Sequence, residues 1–307
     1  MAELTLASAD SSTGDLKLKP NVVMELDATG NADTVSAQEL LVLSARTTGL
    51  VDATGAETIR GDVGELVALA SDSVGVSSGG VALDTDAVVD LVSLPSTSLL
   101  ADSVLTIDGL YAGLVVVSAQ TVAGSMVALL DVSANLVMGE SVDLRDDVVL
   151  QVNVADSVAA ADLITLNNRT TGVVDARAAS TIVGSLAEVQ QVVVADSVVG
   201  GTNVIDVAAA TVSVVVTDTG SLRADSLNAL DAYFVDGTVY VSASTVAGSM
   251  ADLKAVSDDY ETPGGALQLK GNVVMAVDGA STLAAADLIT LSERTTGVVD
   301  ATGADTI

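Results

Sequence analysis

The sequence predicts an α/β fold of the solenoid class, β-rich, in which parallel strands and short helices stack in repeating turns. Three observations lead there. The chain repeats itself about every 62 residues. Half of its 307 residues are hydrophobic, yet only 2% are aromatic, so the apolar mass is Val, Ala, Leu and Ile. Within each period, β-branched runs alternate with short segments rich in Leu and Ala.

The period is read from recurring motifs. Arg-Thr-Thr-Gly begins at Arg46, Arg169 and Arg294, and Thr-Val-Ala-Gly-Ser-Met at Thr121 and Thr245. A Thr-Ile or Thr-Val dipeptide starts at Thr58, Thr121, Thr181, Thr245 and Thr306, with odd and even copies slightly different. Cutting after the Gly-Ser or Gly-Asp that follows it defines five repeats, 1–62, 63–125, 126–185, 186–249 and 250–307. Self-similarity at such a spacing marks stacked-repeat architectures, in which each copy buries its apolar face only against its neighbours. A single solenoid over 1–307 is therefore expected.

Each repeat opens on a helix, as in MADLKAV and LAEVQQV, where apolar residues recur at helical spacing. β-branched runs such as VVLQVNV and VSVVV follow, with the period-2 alternation of strands. A second helix comes next: ADLITL places Leu163 and Leu166, and again Leu288 and Leu291, three residues apart. The repeat closes on a strand, as in GVVDA and TVYVSAS. That makes two turns of roughly 26 and 36 residues. Ten turns at the ~4.8 Å spacing of adjacent strands would span on the order of 50 Å. Stacking predicts ladders of equivalent residues: Leu43, Ile107, Leu166, Leu230 and Leu291, and Leu4, Leu66, Leu129, Val189 and Leu253. Gly49, Gly113, Gly172, Gly237 and Gly297 follow the second helices and are expected to end them in the left-handed conformation that only Gly enters cheaply. An all-β parallel β-helix is the alternative. Five β-sandwich domains fit less well, since a sandwich typically takes ~100 residues.

Composition removes several functions. Without Cys or His there is no disulfide framework, structural zinc site or His-dependent catalysis. A net charge of −30, from 11 basic and 41 acidic residues, disfavours nucleic acid and anionic membranes and attracts cations. The most apolar stretch, 198–216, contains Asn203, Asp206 and two glycines and is β-branched, so membrane insertion is not expected. MAELTLASADSSTG has no basic region followed by an apolar one, so no signal peptide is visible in it.

The first and last residues are nearly in phase. MAEL at Met1 matches MADL at Met250, and the final Asp-Thr-Ile stops just short of the Gly-Ser that precedes such a Met. Two readings follow: a segment of a longer array, which is preferred, or a protomer whose ends stack head to tail. The expected partners are accordingly copies of the chain itself or adjoining repeats of a longer parent. Both readings leave apolar ends.

ADLITLNNRTTGVVDA, STIVGSLAEV and VTDTGSLRADSLNALDA resemble the tandem repeats of giant secreted bacterial proteins, especially cyanobacterial cell-surface proteins and adhesins exported by type I secretion. The likeness runs through all five repeats. It implies an extracellular or cell-surface location and a structural or adhesive role. Those families often carry calcium-binding nonapeptides. Here the Gly-Gly pairs at Gly79, Gly200 and Gly264 lack the rest of that pattern, so this kind of calcium binding is not carried over.

Candidate site residues are few, because Asp and Glu are the only acid/base groups expected. Asp52, Asp175 and Asp300 recur in Val-Asp-Ala, where even repeats have Val116 and Tyr240. They could form a cation row suited to calcium, a hard ion that prefers carboxylate oxygens. The competing reading is a turn Asp that binds local backbone N–H groups. Asp146–Asp147 and Asp258–Asp259 are the carboxylate clusters a polysaccharide-cleaving β-solenoid would use, against solvated loop charges. Arg60-Gly61-Asp62 spells an integrin-binding tripeptide, but Gly61 belongs to the repeat series Gly61, Gly124, Gly184 and Gly248, which explains it as an accident of the repeat. The expectation is a non-catalytic structural protein of an extracellular filament, surface layer or giant adhesin, stacking end to end. The alternative is a polysaccharide-binding or -cleaving β-solenoid.

Overall fold

The structure, a computed structural model, describes residues 23–26, 34–73, 79–92, 98–138, 141–153, 157–196, 204–207, 211–261, 267–278 and 282–307. Leu4 of the second ladder lies outside them. The chain divides into two compact units. The first holds residues 1–151 and 169–171, and the second 152–168 and 172–307.

The first unit contains strands β1 (Met24–Glu25), β2 (Thr34–Ser36), β3 (Leu50–Ala53), β4 (Thr58–Gly61), β5 (Gly80–Leu83), β6 (Val88–Leu91), β7 (Leu99–Leu100), β8 (Val115–Val117), β9 (Thr121–Gly124) and β10 (Val142–Leu144). Between them run helices α1 (Ala37–Ser44), α2 (Val63–Ser73), α3 (Ala101–Leu110) and α4 (Met126–Met138). β11 (Val149–Val152) lies at the division. The second unit contains β12 (Ser157–Ala159), β13 (Val173–Asp175), β14 (Thr181–Gly184), β15 (Val204–Asp206), β16 (Ser213–Val216), β17 (Ser221–Arg223), β18 (Val239–Val241), β19 (Thr245–Gly248), β20 (Leu267–Leu269), β21 (Val274–Val277) and β22 (Val299–Asp300). Its helices are α5 (Ala160–Asn167), α6 (Leu186–Asp196), α7 (Ala224–Tyr233), α8 (Met250–Glu261) and α9 (Ala285–Arg294).

The fold class is α/β with parallel sheets and short helices, as the period predicts. In the first unit, β2, β4, β6, β8 and β10 form one parallel sheet and β1, β3 and β5 another, while β7 pairs with β9. In the second, β12, β14, β16, β18 and β20 form a parallel sheet, β17, β19, β21 and β22 another, and β13 pairs with β15. Except for β21, which pairs with the next strand β22, paired strands lie two apart along the chain. A helix or a bend separates partners, which is what parallel pairing requires.

The register stacks like on like. In the first unit Val35, Ile59, Val89, Val115 and Val142 form one row; in the second, Val158, Ile182, Val214, Val239 and Leu267 form the same row. All ten side chains are at most 4% exposed. At about 1.5–3 kcal/mol per fully buried aliphatic side chain, such rows are the main source of stability.

Local structure differs from expectation in three respects. The shorter turn holds two strands rather than one: residues 63–125 run α2, β5, β6, β7, α3, β8, β9, with β8 and β9 separated only by Ser118–Gln120. Second, the helix ladder interleaves. α1 packs on α2, α2 on α3 and α3 on α4, so helices of the two kinds alternate along the stack instead of meeting their own kind. Leu43, Leu66, Ile107 and Leu129 in the first unit, and Leu166, Val189, Leu230, Leu253 and Leu291 in the second, are all buried.

Third, the glycines after the second helices are not left-handed caps. Among the described residues the positive-φ glycines are Gly79 (φ 102°) and Gly80 (φ 117°), at the entrance to β5. Gly113, Gly237 and Gly297 are needed for space. A Cβ there would lie 2.1, 2.0 and 2.0 Å from the carbonyl oxygens of Ala87, Val212 and Val273 in the preceding turn. A second glycine series works in the same way. A Cβ on Gly61, Gly124, Gly184 or Gly248 would lie 2.8–2.9 Å from the Cβ of Ala37, Ala101, Ala160 or Ala224, the first residue of the preceding helix. Each of those alanines is fully buried.

Candidate functional site

The Arg-Thr-Thr-Gly motif is the most elaborate recurring arrangement of polar groups. In the first unit, Arg169 donates from Nη1 to the Leu130 carbonyl (2.7 Å) and to Ser133 Oγ (3.0 Å), both on α4. Ser133 is fully buried and donates to the same Leu130 carbonyl (3.2 Å). Thr170 Oγ1 donates to the carbonyls of Asp146 (3.0 Å) and Val148 (2.8 Å). The Thr171 amide donates to the Asp146 carbonyl (2.7 Å). In the second unit Arg294 binds Ser257 Oγ (3.0 Å), Asp258 and the Lys254 carbonyl. Thr295 donates to the Val273 carbonyl (2.8 Å), and the Thr296 amide to the Gly271 carbonyl (2.8 Å). Arg169 thus binds α4 and Arg294 binds α8, while the threonines saturate carbonyls of the tight turns at 146–148 and 271–273. Hydrogen bonds from charged donors are among the stronger protein hydrogen bonds.

Even repeats replace arginine with tyrosine. Tyr111 Oη donates to the Leu66 carbonyl on α2 (2.7 Å), and Tyr233 Oη meets Asp196 at the end of α6. Burial pushes the Tyr111 hydroxyl up to about 12. Burial likewise raises the Asp196 carboxyl.

α2 and α6, first helices of their repeats, each start on a reciprocal cap. Ser185 Oγ accepts from the Glu188 amide (3.3 Å), and Glu188 Oε2 accepts from the Ser185 amide (2.7 Å). Asp62 and Glu65 do the same at 2.9 and 3.0 Å. This is the capping box, which satisfies two otherwise orphan donors. The Gly-Ser and Gly-Asp boundaries in the sequence are therefore helix caps.

Asp52, Asp175 and Asp300 each close a local turn. Asp52 Oδ1 accepts from the amide (3.1 Å) and hydroxyl (2.7 Å) of Thr54, and Asp300 Oδ1 from those of Thr302 (3.0 and 2.7 Å). These bonds to Thr302 hold the Asp300 carboxyl below its ordinary range. Asp175 accepts from the Arg177 amide (3.1 Å) and pairs with its guanidinium, which also reaches Asp206 (3.3 Å). Asp52 has Glu25 and Ala82 beside it in its sheet, and Asp300 has Ala276. Among the described residues no group of three or more acidic side chains is placed to hold a metal ion.

The paired carboxylates are engaged as well. Asp147 forms a two-pronged pair with Arg145 at 3.0 Å in both arms, and Asp258 pairs with Arg294. The side chain of Asp259 lies outside the described residues. Asp84 and Asp86 share a hydrogen bond that lowers the first carboxyl and raises the second. They border a shallow cleft of about 270 Å3 with Thr54, Glu57 and Val88. A larger cleft of about 460 Å3 lies between Val81–Thr85 and Leu110–Ala112. Of the integrin-type tripeptide, Arg60 pairs with Asp90 across adjacent strands (2.7 Å), Gly61 lies against Ala37, and Asp62 caps α2.

The chemistry these side chains perform is structural: they saturate backbone groups and join successive turns. The roles of Ser133 and Ser257 went unread in the sequence. Their signal is a serine at the eighth position of MVALLDVS and MADLKAVS, on an otherwise apolar helix. Comparison with protein-family models, curated proteins and solved structures returns no match to this chain. Among the described residues no helix is long and apolar enough to cross a membrane.

Proposed function

We propose that the chain is a non-catalytic structural solenoid, one continuous stack of five repeats, that serves in an extracellular filament, surface layer or adhesin. One observation carries this reading: the recurring polar residues of the repeat are engaged in joining one turn to the next. Arg169, Thr170 and Thr171 bind the preceding helix and turn, and Arg294, Thr295 and Thr296 do so again a full two repeats later. An enzyme keeps a singular departure from its scaffold, with convergent groups left available to substrate. Of the carboxylates considered for such a role, Asp147 is paired with Arg145 and Asp258 with Arg294. The acidic surface keeps a repetitive rod soluble and gathers divalent cations diffusely around it.

Location and role are tested together on cells that express the protein from its own locus. Protease added to intact cells should remove it while a cytosolic marker persists. Its survival under those conditions, or depolymerisation of a polysaccharide by the purified chain, would overturn the proposal.

A further inference from the structure

The two even repeats, 63–125 and 186–249, differ at one strand edge. β5 and β15 each stand last in their sheets. β15 pairs with β13, and the Ala176 amide donates to the Asp206 carbonyl (2.8 Å), so the backbone groups of the next residue, Val207, turn to the free edge. There the Val207 amide donates to Asp196 Oδ1 (2.9 Å), and Tyr233 Oη holds the other carboxylate oxygen. Asp196 ends α6 and Tyr233 ends α7, so two helix ends close the edge.

Repeat 63–125 replaces both closing groups. α2 ends on Ser73, whose hydroxyl turns back to the Ala70 carbonyl (2.8 Å), and α3 ends on Leu110, which is 48% exposed. Leu83 stands where Val207 does: it follows Ala82, the partner of Asp52, as Val207 follows Asp206, the partner of Asp175. Its amide and carbonyl therefore face away from β3, into the cleft of about 460 Å3 between Val81–Thr85 and Leu110–Ala112. Charge beyond the strand differs as well. Repeat 126–185 places Arg145 and Asp147 after β10, where they pair. Repeat 63–125 has Asp84 and Asp86 at those positions, and their carboxyls share a hydrogen bond. The cation that the next repeat draws from its own chain is replaced here by a second acid.

We propose that this open edge binds an extended peptide segment carrying a basic residue, which adds to the sheet as a strand beside β5. A carbonyl of the segment takes the place that Asp196 Oδ1 holds in the other even repeat and accepts from the Leu83 amide. An amide of the segment donates to the Leu83 carbonyl. In strand addition the main chain gives affinity, and alternate side chains give selectivity. Here the apolar side chains lie against Leu110, Tyr111 and Ala112. The basic one meets Asp84 and Asp86, where the next repeat has its own Arg145. The chain's net charge of −30 draws such a segment in.

The contact is read from the anisotropy of a fluorescent, end-blocked Val-Arg-Val-Arg-Val peptide titrated with the full chain at physiological salt. Saturable binding is expected. Of two versions of the peptide methylated on alternate backbone nitrogens, one should bind roughly tenfold more weakly than the other, because only one set of amides faces β5. Ser73→Asp with Leu110→Tyr rebuilds the closure of the second unit and should weaken binding by roughly the same factor, although it adds a negative charge. Plain attraction of a basic peptide to an acidic chain predicts the reverse. Absence of binding up to millimolar chain overturns the proposal, as does equal binding of the two methylated versions or a double variant that binds as tightly as the unsubstituted chain. Should the double variant unfold, the methylated pair measured on the unsubstituted chain decides alone.

Discussion

Gly248→Ala is the most exacting single test of how successive turns touch. The added methyl would lie 2.8 Å from Ala224 Cβ, with the next nearest atoms of that residue at 3.6–3.7 Å. Real Cβ contacts do not come that close, and Ala224 is fully buried at the start of α7, with nowhere to withdraw. Forcing in one methyl costs about 1–3 kcal/mol. The lower freedom of alanine in the unfolded chain returns about 0.4–1 kcal/mol. The net expectation is a loss of about 1–2 kcal/mol, or roughly 2–8 °C in melting temperature for a unit of this size. Ala224→Gly alone loses a buried methyl worth about 0.8 kcal/mol and some helix propensity. The decisive variant is the exchange, Gly248→Ala with Ala224→Gly, which moves the methyl across the contact and removes the clash. Urea denaturation of the four proteins gives the coupling energy, expected to be about 1–2 kcal/mol in favour of the double variant. Additive losses would show that the two backbones do not meet there.

Four further outcomes follow from the geometry. Arg169→Met should cost about 1.5–3 kcal/mol, since it strips a charged donor from the Leu130 carbonyl and the buried Ser133. That loss should be insensitive to salt, because both partners are uncharged, whereas the cost of Arg294→Met should shrink with salt, because Arg294 also pairs with Asp258. Tyr111 should ionise above the ordinary tyrosine range. Its raised value means that its contribution is complete below pH 10 and is lost as pH climbs toward about 12, a limb that Tyr111→Phe should remove from the stability–pH curve. Glu188 works in the opposite direction. The Ser185 bonds depress its carboxyl, so its contribution is present above the ordinary glutamate range and fades as pH falls through the folded value; Glu188→Gln should flatten that acid limb.

Much of the architecture could be read from residues alone because repetition multiplies weak signals. One ADLITL is an ambiguous short helix, but its neighbours in five aligned copies are not ambiguous. Val-rich segments such as 213–216 became β16, with alternate residues fully buried, because β-branched residues suit a pleated, half-buried surface. What escaped reading depends on contacts between turns. Gly297 looks like a helix cap in sequence, yet its role is to admit the Val273 carbonyl, a group 24 residues away. The alternation of the two helix kinds along the stack is likewise invisible, since a 62-residue period says nothing about what lies between equivalent copies. β9 was missed because Thr-Val-Ala-Gly reads as a boundary, while its neighbour across the sheet, β7, makes it a strand. At the candidate site, the Asp52, Asp175 and Asp300 series was legible as a recurrence. Its local use was decided by a residue two positions on, Thr54, Arg177 or Thr302.

The stacking of interchangeable repeats is best measured by excising two of them. Removing residues 63–185 joins Asp62 to Leu186 and sets Glu188 three residues after Asp62, the spacing of the capping box that Asp62 now makes with Glu65. Odd and even repeats stay in alternation across the join. If each repeat contacts only its neighbours, the shortened chain should fold, keep its circular dichroism per residue and unfold in a single sharp urea transition with a proportionally smaller slope. A shortened chain that is unfolded or molten would contradict interchangeable stacking, because it would mean that the lost segment supplied a core the remaining repeats cannot replace.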